Sequence, residues 1–229
     1  MRYDFDRVID RRTIDSAKWT AYPKDVLPLW VADSDFQCPQ PVIDAVMKIA
    51  ETGVYGYPNG HAGIVENATV SWCLEVLPSE VQYCPSMCFG LAVAIRAFTK
   101  PGGKVLMQVP AYPPFIELTK SNGRIPSMNA LKLVEGRFEI DFEDCAADPE
   151  CTLFLLCSPH NPTGRVFSKE ELERIVSICC RHNVVILADE VHSGFVFKGE
   201  HTTLLTLSEA ARSITVYGNS PSKTFNTAG

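Results

Sequence analysis

The chain has 229 residues, of which 46% are apolar, and it carries a formal net charge of −6 at pH 7. This composition is typical of a globular protein, and the length suits one large domain or one domain with part of a second. The acidic balance gives no reason to expect a nucleic-acid partner, and no apolar run approaches the ~18–20 residues of a membrane-spanning helix.

Nine cysteines are scattered along the chain without a C-x-x-C pair. Cys84 and Cys88 are four residues apart, and Cys179 and Cys180 are adjacent. Neither spacing indicates a zinc site or a disulfide framework. Cys157 lies in an apolar segment, where cysteine is typical of a protein core. The first seven residues are too charged for a secretory signal. We therefore expect a cytoplasmic protein without a metal centre.

The first part of the chain lacks a regular alternation of strands and helices. Aromatic residues and prolines in residues 1–36 indicate an extended arm. Residues 39–52 have apolar side chains at helical spacing, and Gly53 ends this predicted helix. An aromatic, glycine-rich loop follows at residues 54–60, and residues 64–74 form a further candidate helix without a clear start.

Strands and helices alternate from residue 80 onward. Apolar runs predict strands at residues 105–109, 152–157, 184–188 and 214–217. A helix is predicted at residues 86–100, and another follows the loop at residues 110–114 and runs to about residue 122. Ser168 and Glu171 form a capping box that opens a further helix. This alternation favours a mainly parallel sheet with right-handed crossovers, so the predicted fold class is α/β.

Polar residues that can carry chemistry follow the predicted strands. They are Tyr112, Asn161, Asp189, His192, Ser220, Ser222 and Lys223. The carboxyl ends of parallel strands meet at one edge of a sheet, where open α/β sheets bind ligands. An amine at that edge can be desolvated, which would make Lys223 a nucleophile for a carbonyl carbon, and the neighbouring serines can bind a phosphate.

Each of these residues also has a purely structural interpretation. Asn161 opens a sequence that forms a favourable turn by itself. Asp189 equally suits a helix cap or an ion pair, and Tyr112 suits a packed aromatic ring. A hydrogen-bonded position near a turn suits His192, and a solvated loop suits Lys223. The agreement among several strand ends favours a binding site over these separate explanations.

Five motifs resemble, in order and spacing, those of fold-type I pyridoxal-phosphate (PLP) enzymes of the class I/II aminotransferase superfamily. They are W-V-A-D-x-D-F at residues 30–36, P-A-Y-x-P-F at 110–115, S-P-H-N-P-T-G at 158–164, D-E-V-H at 189–192 and S-P-S-K-T-F-N at 220–226. Within the superfamily, the chain is most similar to the MalY/PatB-type cystathionine β-lyases, or cysteine-S-conjugate β-lyases. The first motif, the histidine of the fourth and the lysine motif carry this finer resemblance.

The resemblance implies a PLP-dependent transferase fold of the aspartate aminotransferase type. Its large domain, built on a mainly parallel sheet, would comprise residues 46–229. Residues 1–45 would form an N-terminal arm and part of the small domain.

The resemblance also assigns roles around the cofactor ring. Lys223 would hold PLP covalently and move the Cα proton. Asp189 would pair with the pyridinium nitrogen, which lets the ring accept electrons. Asn161 would bind the phenolic oxygen, Tyr112 would stack on the ring, and His192 would belong to the same site.

The remaining implied contacts concern the cofactor phosphate. Its ligands would be Ser220, Ser222 and the turn Ser86, Met87 and Cys88, which lies at a helix N-terminus. Tyr57 resembles the tyrosine that such enzymes donate across a dimer interface to the phosphate of the neighbouring subunit. The resemblance therefore implies a homodimer that binds a small amino-acid substrate.

The implied reaction is α,β-elimination from an S-substituted L-cysteine such as cystathionine, with Lys223, Asp189 and Tyr112 as catalytic residues. The products would be a thiol, pyruvate and ammonia. Two alternatives are an aminotransferase with the same cofactor residues and a regulatory protein that retains the fold. Family members continue well beyond the position of Gly229, through the part that carries the arginine for the substrate carboxylate. We therefore expect a truncated chain with impaired activity.

Overall fold

A computed structural model of the protein describes residues 3–57, 63, 65, 66, 74–145, 148 and 150–228. The chain divides into two compact units, one of Met1–Gly60 with Pro221–Gly229 and one of His61–Ser220. The predicted domain boundary at residues 45 and 46 stays a prediction, and a continuous helix runs through that position. The helix predicted at residues 64–74 lies largely outside the described residues.

The helices are short to medium in length, and most lie between strands of the second unit. They are α1 (Ala17–Thr20), α2 (Gln40–Ala50), α3 (Met87–Phe98), α4 (Pro113–Ser121), α5 (Phe142–Cys145), α6 (Lys169–His182), α7 (Leu204–Leu207), α8 (Glu209–Ile214) and α9 (Pro221–Thr224), with 3₁₀ turns at Arg11–Thr13 and Pro78–Glu80. Among the described residues, no helix has both the length and the apolar character needed to cross a membrane.

The second unit is built on one parallel sheet, as predicted. Its strands are β1 (Lys104–Val109), β2 (Ile125–Ala130), β5 (Cys151–Cys157), β6 (Val185–Asp189) and β7 (Thr215–Gly218), while β3 (Lys132–Val134) and β4 (Arg137–Glu139) form a separate hairpin. The order in the sheet is β2-β1-β5-β6-β7, and every neighbouring pair is parallel. The α/β fold class is therefore confirmed.

Both faces of this sheet are buried, which explains the almost continuously apolar central strands. Side chains alternate between the faces along a strand. Phe154 therefore packs in the cluster that contains Ile175 of α6, whereas Leu155 packs in the cluster that contains Leu91 of α3. Each fully buried side chain of this kind contributes about 1.5–3 kcal/mol. The two clusters fix the sheet between helical layers.

The helix α6 begins at the predicted capping box. The Ser168 hydroxyl accepts a hydrogen bond from the Glu171 backbone N–H at 3.2 Å, and the Glu171 carboxylate accepts one from the Ser168 N–H at 2.8 Å. The helix ends at Asn183, which adopts a left-handed conformation with φ 55°. Asparagine tolerates this conformation better than most residues, so both ends of the helix are defined by local sequence.

The hairpin of β3 and β4 and the short helices α1, α5, α7, α8 and α9 were not predicted from the sequence. Two further differences concern strands of the parallel sheet. Strand β2 was not predicted because it lies at the sheet edge, is partly exposed and contains Pro126, so it lacks a continuous apolar run. Ile214 was predicted to open the last strand, but it ends α8 and the strand begins at Thr215. A β-branched apolar residue at such a junction suits either element.

The strand order defines where a ligand can bind. From β1 the chain continues to β2, toward one edge of the sheet, and from β5 it continues to β6, toward the opposite edge. Connections that diverge in this way open a crevice at the carboxyl ends of the two central strands. The loops after β1 and β5 therefore border the expected binding crevice.

Candidate active site

Three of the predicted site residues follow the central strands of the second unit. Tyr112 lies just beyond β1, Asn161 just beyond β5, and Asp189 is the last residue of β6. The ends of β5 and β6 are joined by a hydrogen bond from the Ser158 N–H to the Asp189 carbonyl oxygen at 3.1 Å, and Glu190 donates to Gly218 at 2.9 Å. The strand ends thus form one continuous polar edge.

Tyr112 is half-buried at this edge. Its ring meets that of Phe115 edge-on, with 5.9 Å between the ring centres, and its hydroxyl lies 3.9 Å from the Cys88 sulfur. Burial, followed by the neighbouring Cys88 and Asp189, raises the pKa of Tyr112 to about 12. The phenol is therefore neutral at physiological pH. The negative charge of the Asp189 carboxylate disfavours its ionisation further.

Asp189 is a buried acid, with only 5% of its surface exposed. Its carboxylate accepts a hydrogen bond from the backbone N–H of Val191 at 3.2 Å. Cys157 lies opposite Asp189 in the strand pairing, and burial together with the Asp189 charge raises the pKa of the Cys157 thiol. The Cys157 sulfur also accepts from the Asn161 N–H at 3.4 Å. A carboxylate buried in this way is suited to bind a cationic group.

Asn161 starts the turn that the sequence predicted. His160 supports this turn through its ring Nδ1, 2.8 Å from the Thr163 hydroxyl. Gly164 donates to the His160 carbonyl oxygen and has φ 70°, a conformation that glycine adopts without strain. Burial and the nearby Arg165 lower the pKa of His160 to about 4. His160 is therefore a neutral structural residue that orients the turn.

The N-terminus of α3 approaches the end of β7. Ser86 caps this helix by accepting a hydrogen bond from the Phe89 N–H at 3.2 Å. Gly218 packs so tightly against Met87 that an added Cβ would lie 2.8 Å from the methionine sulfur. A larger residue at position 218 would displace the end of the Met87 side chain, which packs the first turn of α3 beside the loop that begins with Asn219.

Some residues of this edge were not singled out from the sequence. Asn219 donates to the hydroxyls of Tyr217 at 2.6 Å and Ser193 at 3.2 Å, and it accepts from the Ser220 N–H at 2.7 Å. Its position directly after β7 could have identified Asn219 as a site residue from the sequence. Cys157 was interpreted as a core residue, and nothing local indicated that it underlies both Asn161 and Asp189.

Three of the predicted site residues, Tyr57, Ser222 and Lys223, belong to the first unit. The Lys223 amine donates to the carbonyl oxygen of Ala32 at 3.0 Å. Ser222 and Lys223 lie in the one-turn helix α9, and Tyr57 is fully exposed. His192, in the second unit, follows β6 and lies 6.4 Å from Phe195 between ring centres. The structure therefore groups Tyr112, Cys88 and Asp189 most closely.

Comparisons with known proteins place the chain in a family. The family described as aminotransferase class I and II matches residues 24–229. The cystathionine β-lyase PatB of Bacillus subtilis (strain 168) is 36% identical over 99% of this chain and 62% of its own length. The chain thus spans less than two thirds of this relative.

Solved structures agree with the sequence match. Cystalysin from Treponema denticola, in a crystal structure with a pyridoxal 5′-phosphate cofactor, has a TM-score of 0.92 and 30% identity, covering 100% of this chain and 62% of its own. A PLP-bound C–S lyase from Staphylococcus hominis has a TM-score of 0.89 and 28% identity, covering 100% of this chain and 61% of its own. The chain belongs to the class I and II aminotransferase family.

Proposed function

We propose that the protein is a PLP-dependent carbon–sulfur β-lyase. Its substrate would be cystathionine or another S-substituted L-cysteine, and its products a thiol, pyruvate and ammonia. The observation that carries the proposal is the buried Asp189 carboxylate beside the half-buried Tyr112 ring at the sheet edge. The similarity to a cystathionine β-lyase along 99% of the chain supports the same reaction.

The residues of the sheet edge fit the ring of PLP. A deeply buried carboxylate can keep a ring nitrogen protonated, because a negative charge in the protein interior favours a cation beside it. Asp189 is the residue in this role. Tyr112 offers a neutral aromatic surface, Asn161 an amide for the phenolic oxygen, and His192 a further polar side chain of the same loop region.

The first turn of α3 fits an anionic phosphate. A helix N-terminus carries backbone N–H groups without partners within the helix, and its dipole favours negative charge. The N–H of Phe89 is taken by Ser86, which leaves the donors around Met87 and Cys88 for a ligand. Ser220 and Ser222 are the proposed hydroxyl ligands. Tyr57 is proposed to reach the site of a second copy, in a homodimer.

The proposed chemistry divides between cofactor and protein. When bound, PLP supplies an electron sink for the negative charge that develops at Cα of the substrate. Lys223 would carry the cofactor and, once the substrate amine has replaced it, its free amine would take the Cα proton, while Asp189 would retain its negative charge beside the protonated ring nitrogen. Tyr112 stays neutral because its pKa is raised to about 12. Loss of the Cβ–S bond would release a thiolate and leave an enamine, which takes a proton at Cβ to become an imine that water hydrolyses to pyruvate and ammonia.

The described cysteines are all free thiols. Free thiols are usual in reducing compartments and disulfides in oxidising ones. This observation supports the proposal that the protein acts in the cytoplasm on a small amino-acid substrate.

The first test of the proposal is chemical labelling. Incubation with PLP followed by borohydride reduction and peptide mapping is expected to label Lys223 alone, with a visible absorbance band before reduction. A reduced label on another lysine would contradict the assignment of Lys223. A protein that never acquires the visible band would be a regulatory or non-catalytic member of the family.

The second test separates a lyase from an aminotransferase. The lyase releases pyruvate from cystathionine without an added keto acid, whereas an aminotransferase needs a keto acid as amino-group acceptor. Pyruvate formation that depends entirely on an added keto acid would therefore replace the proposed reaction by transamination.

A further inference from the structure

The proposed PLP-binding lysine lies in a helix that cannot be stable alone. Helix α9 has four residues, and forming a single helical turn is unfavourable without tertiary contacts. Its own support consists of backbone hydrogen bonds from Phe225 to Pro221 at 2.9 Å and from Thr227 to Ser222 at 3.1 Å. The orientation of Lys223 therefore depends on what holds the end of this turn.

Asn226 holds that end through a two-point contact with the arm. Its side-chain oxygen accepts a hydrogen bond from the Ser34 backbone N–H at 2.9 Å, and its amide nitrogen donates to the Ser34 carbonyl oxygen at 2.9 Å. One side chain thus satisfies both polar groups of one peptide residue, as a neighbouring β-strand does. Asn226 has φ 55°, a left-handed conformation that asparagine tolerates.

The Ser34 backbone is a fixed anchor because charged residues hold both of its neighbours. Arg11 binds Asp33 at 2.7 Å and Asp35 at 3.1 Å, and Lys18 binds Asp35 at 2.6 Å. The side chains of Arg11 and Lys18 are only 16% and 7% exposed. Two cations and two carboxylates balance one another, which satisfies the charges of this partly buried cluster.

The same stretch of the arm also receives the lysine. The Lys223 amine donates to the carbonyl oxygen of Ala32 at 3.0 Å, two residues before Ser34 along the chain. The Cys38 thiol lies 3.6 Å from the carbonyl oxygen of Phe225. The helix α9 and its lysine are therefore held against residues 32–38 at several points. The two hydrogen bonds of the Asn226 side-chain amide, at 2.9 Å each, are the shortest of these contacts.

We propose that Asn226 is a positioning residue for Lys223, acting through its two hydrogen bonds with the Ser34 backbone. This inference rests on the proposed function of Lys223 as the cofactor lysine. Asn226 does not touch the reacting atoms. It fixes the turn from which the amine extends, so that the amine occupies one orientation before it bonds to PLP and whenever it is released.

The first test needs no cofactor. In the cofactor-free protein, Asn226→Ala is expected to raise the amide hydrogen-exchange rates of Phe225 and Thr227, and the rate of Lys223 acylation, by about tenfold, as loss of two hydrogen bonds allows. The matched control is Asn183→Ala, which replaces another asparagine at φ 55°, at an exposed helix end, and controls for backbone strain. It is expected to leave both rates unchanged.

The second test uses the PLP-loaded protein. Asn226→Ala is expected to lower kcat about tenfold with little change in KM, and to alter the pH dependence of the visible absorbance band of the lysine-bound cofactor. Asn226→Asp keeps the acceptor for the Ser34 N–H but loses the donor, so its effects should be intermediate. Unchanged exchange, acylation and kcat in Asn226→Ala would overturn the proposal, as would equal effects of Asn183→Ala.

These experiments distinguish failure of the proposed PLP-dependent function from failure of the proposed positioning role of Asn226. A wild-type protein without a visible band or a label on Lys223 would refute the proposed function, while the exchange and acylation rates would still decide the role of Asn226. If Asn226→Ala loses its far-ultraviolet circular dichroism and does not fold, the Asn226→Asp comparison decides instead: wild-type rates in that variant would overturn the proposal.

Discussion

At the scale of single residues, we expect substitution of Asp189 to reduce activity strongly. Asp189→Asn keeps the shape of the side chain but removes its charge, so the ring nitrogen of PLP would no longer be held protonated. Cofactor binding should persist in part, while elimination should fall by roughly a thousandfold, equivalent to about 4 kcal/mol. Pyruvate release measured under saturating PLP checks this expectation.

The same variant has a readout that is independent of activity. The Asp189 charge is one cause of the raised pKa of Tyr112, after burial and Cys88. A titration of phenolate absorbance should therefore show the pKa of Tyr112 lower in Asp189→Asn than in the wild type. Asp25→Asn, which neutralises an exposed acid, should change neither measurement. Wild-type turnover in Asp189→Asn would contradict the assigned role.

His160 predicts a dependence of stability on pH. Its pKa is lowered to about 4 in the folded protein, below the ~6.5 of an unfolded histidine. Between these values the unfolded state binds more protons, so this residue lowers stability as the pH falls from 7 to 4. The loss between pH 7 and pH 5 should be about 2 kcal/mol.

Urea unfolding at the two pH values measures this loss. In His160→Gln the loss between pH 7 and pH 5 should be smaller by a similar amount, because glutamine does not titrate. An equal pH dependence in the two proteins would show that His160 does not contribute.

At the scale of elements, the capping box of α6 should contribute measurable stability. Ser168→Ala removes the hydroxyl that accepts from the Glu171 N–H, and loss of such a cap costs about 1 kcal/mol. Urea denaturation is the measurement. Ser177→Ala makes the same substitution at an exposed interior position of the same helix, where alanine is favourable, so it should be neutral or slightly stabilising. Equal effects of the two substitutions would contradict the capping role.

At the scale of the whole molecule, burial should divide the described cysteines into two reactivity classes. Burial raises the pKa of Cys145 and of Cys151 to about 11, and it also raises those of Cys157 and Cys179. A thiol that is both protonated and inaccessible reacts slowly with alkylating reagents. Cys180, adjacent to Cys179 in sequence, is exposed and should react first.

Alkylation of the native protein followed by peptide mapping measures these reactivities. Unfolding in urea should make the five cysteines react at similar rates. Fast native labelling of Cys157 or Cys179 would contradict the burial of the two sheet faces.

The sequence by itself determined the parts of this protein that depend on local patterns. Apolar runs at β1, β5 and β6 specified buried parallel strands, because residues covered on both faces must be apolar throughout. The capping box at Ser168 specified the start of α6, since its hydrogen bonds join residues three apart. The polar residues Tyr112, Asn161 and Asp189 were identifiable because each follows such a strand.

Only the tertiary structure decided the features that join distant parts of the chain. Strand β2 is specified by its pairing with β1 rather than by an apolar run, because an edge strand is covered less completely. The contacts of Asn226 with Ser34 span 192 residues, and the packing of Met87 on Gly218 joins a helix start to a strand end. Such contacts leave no periodic signal, since each depends on how the whole chain folds.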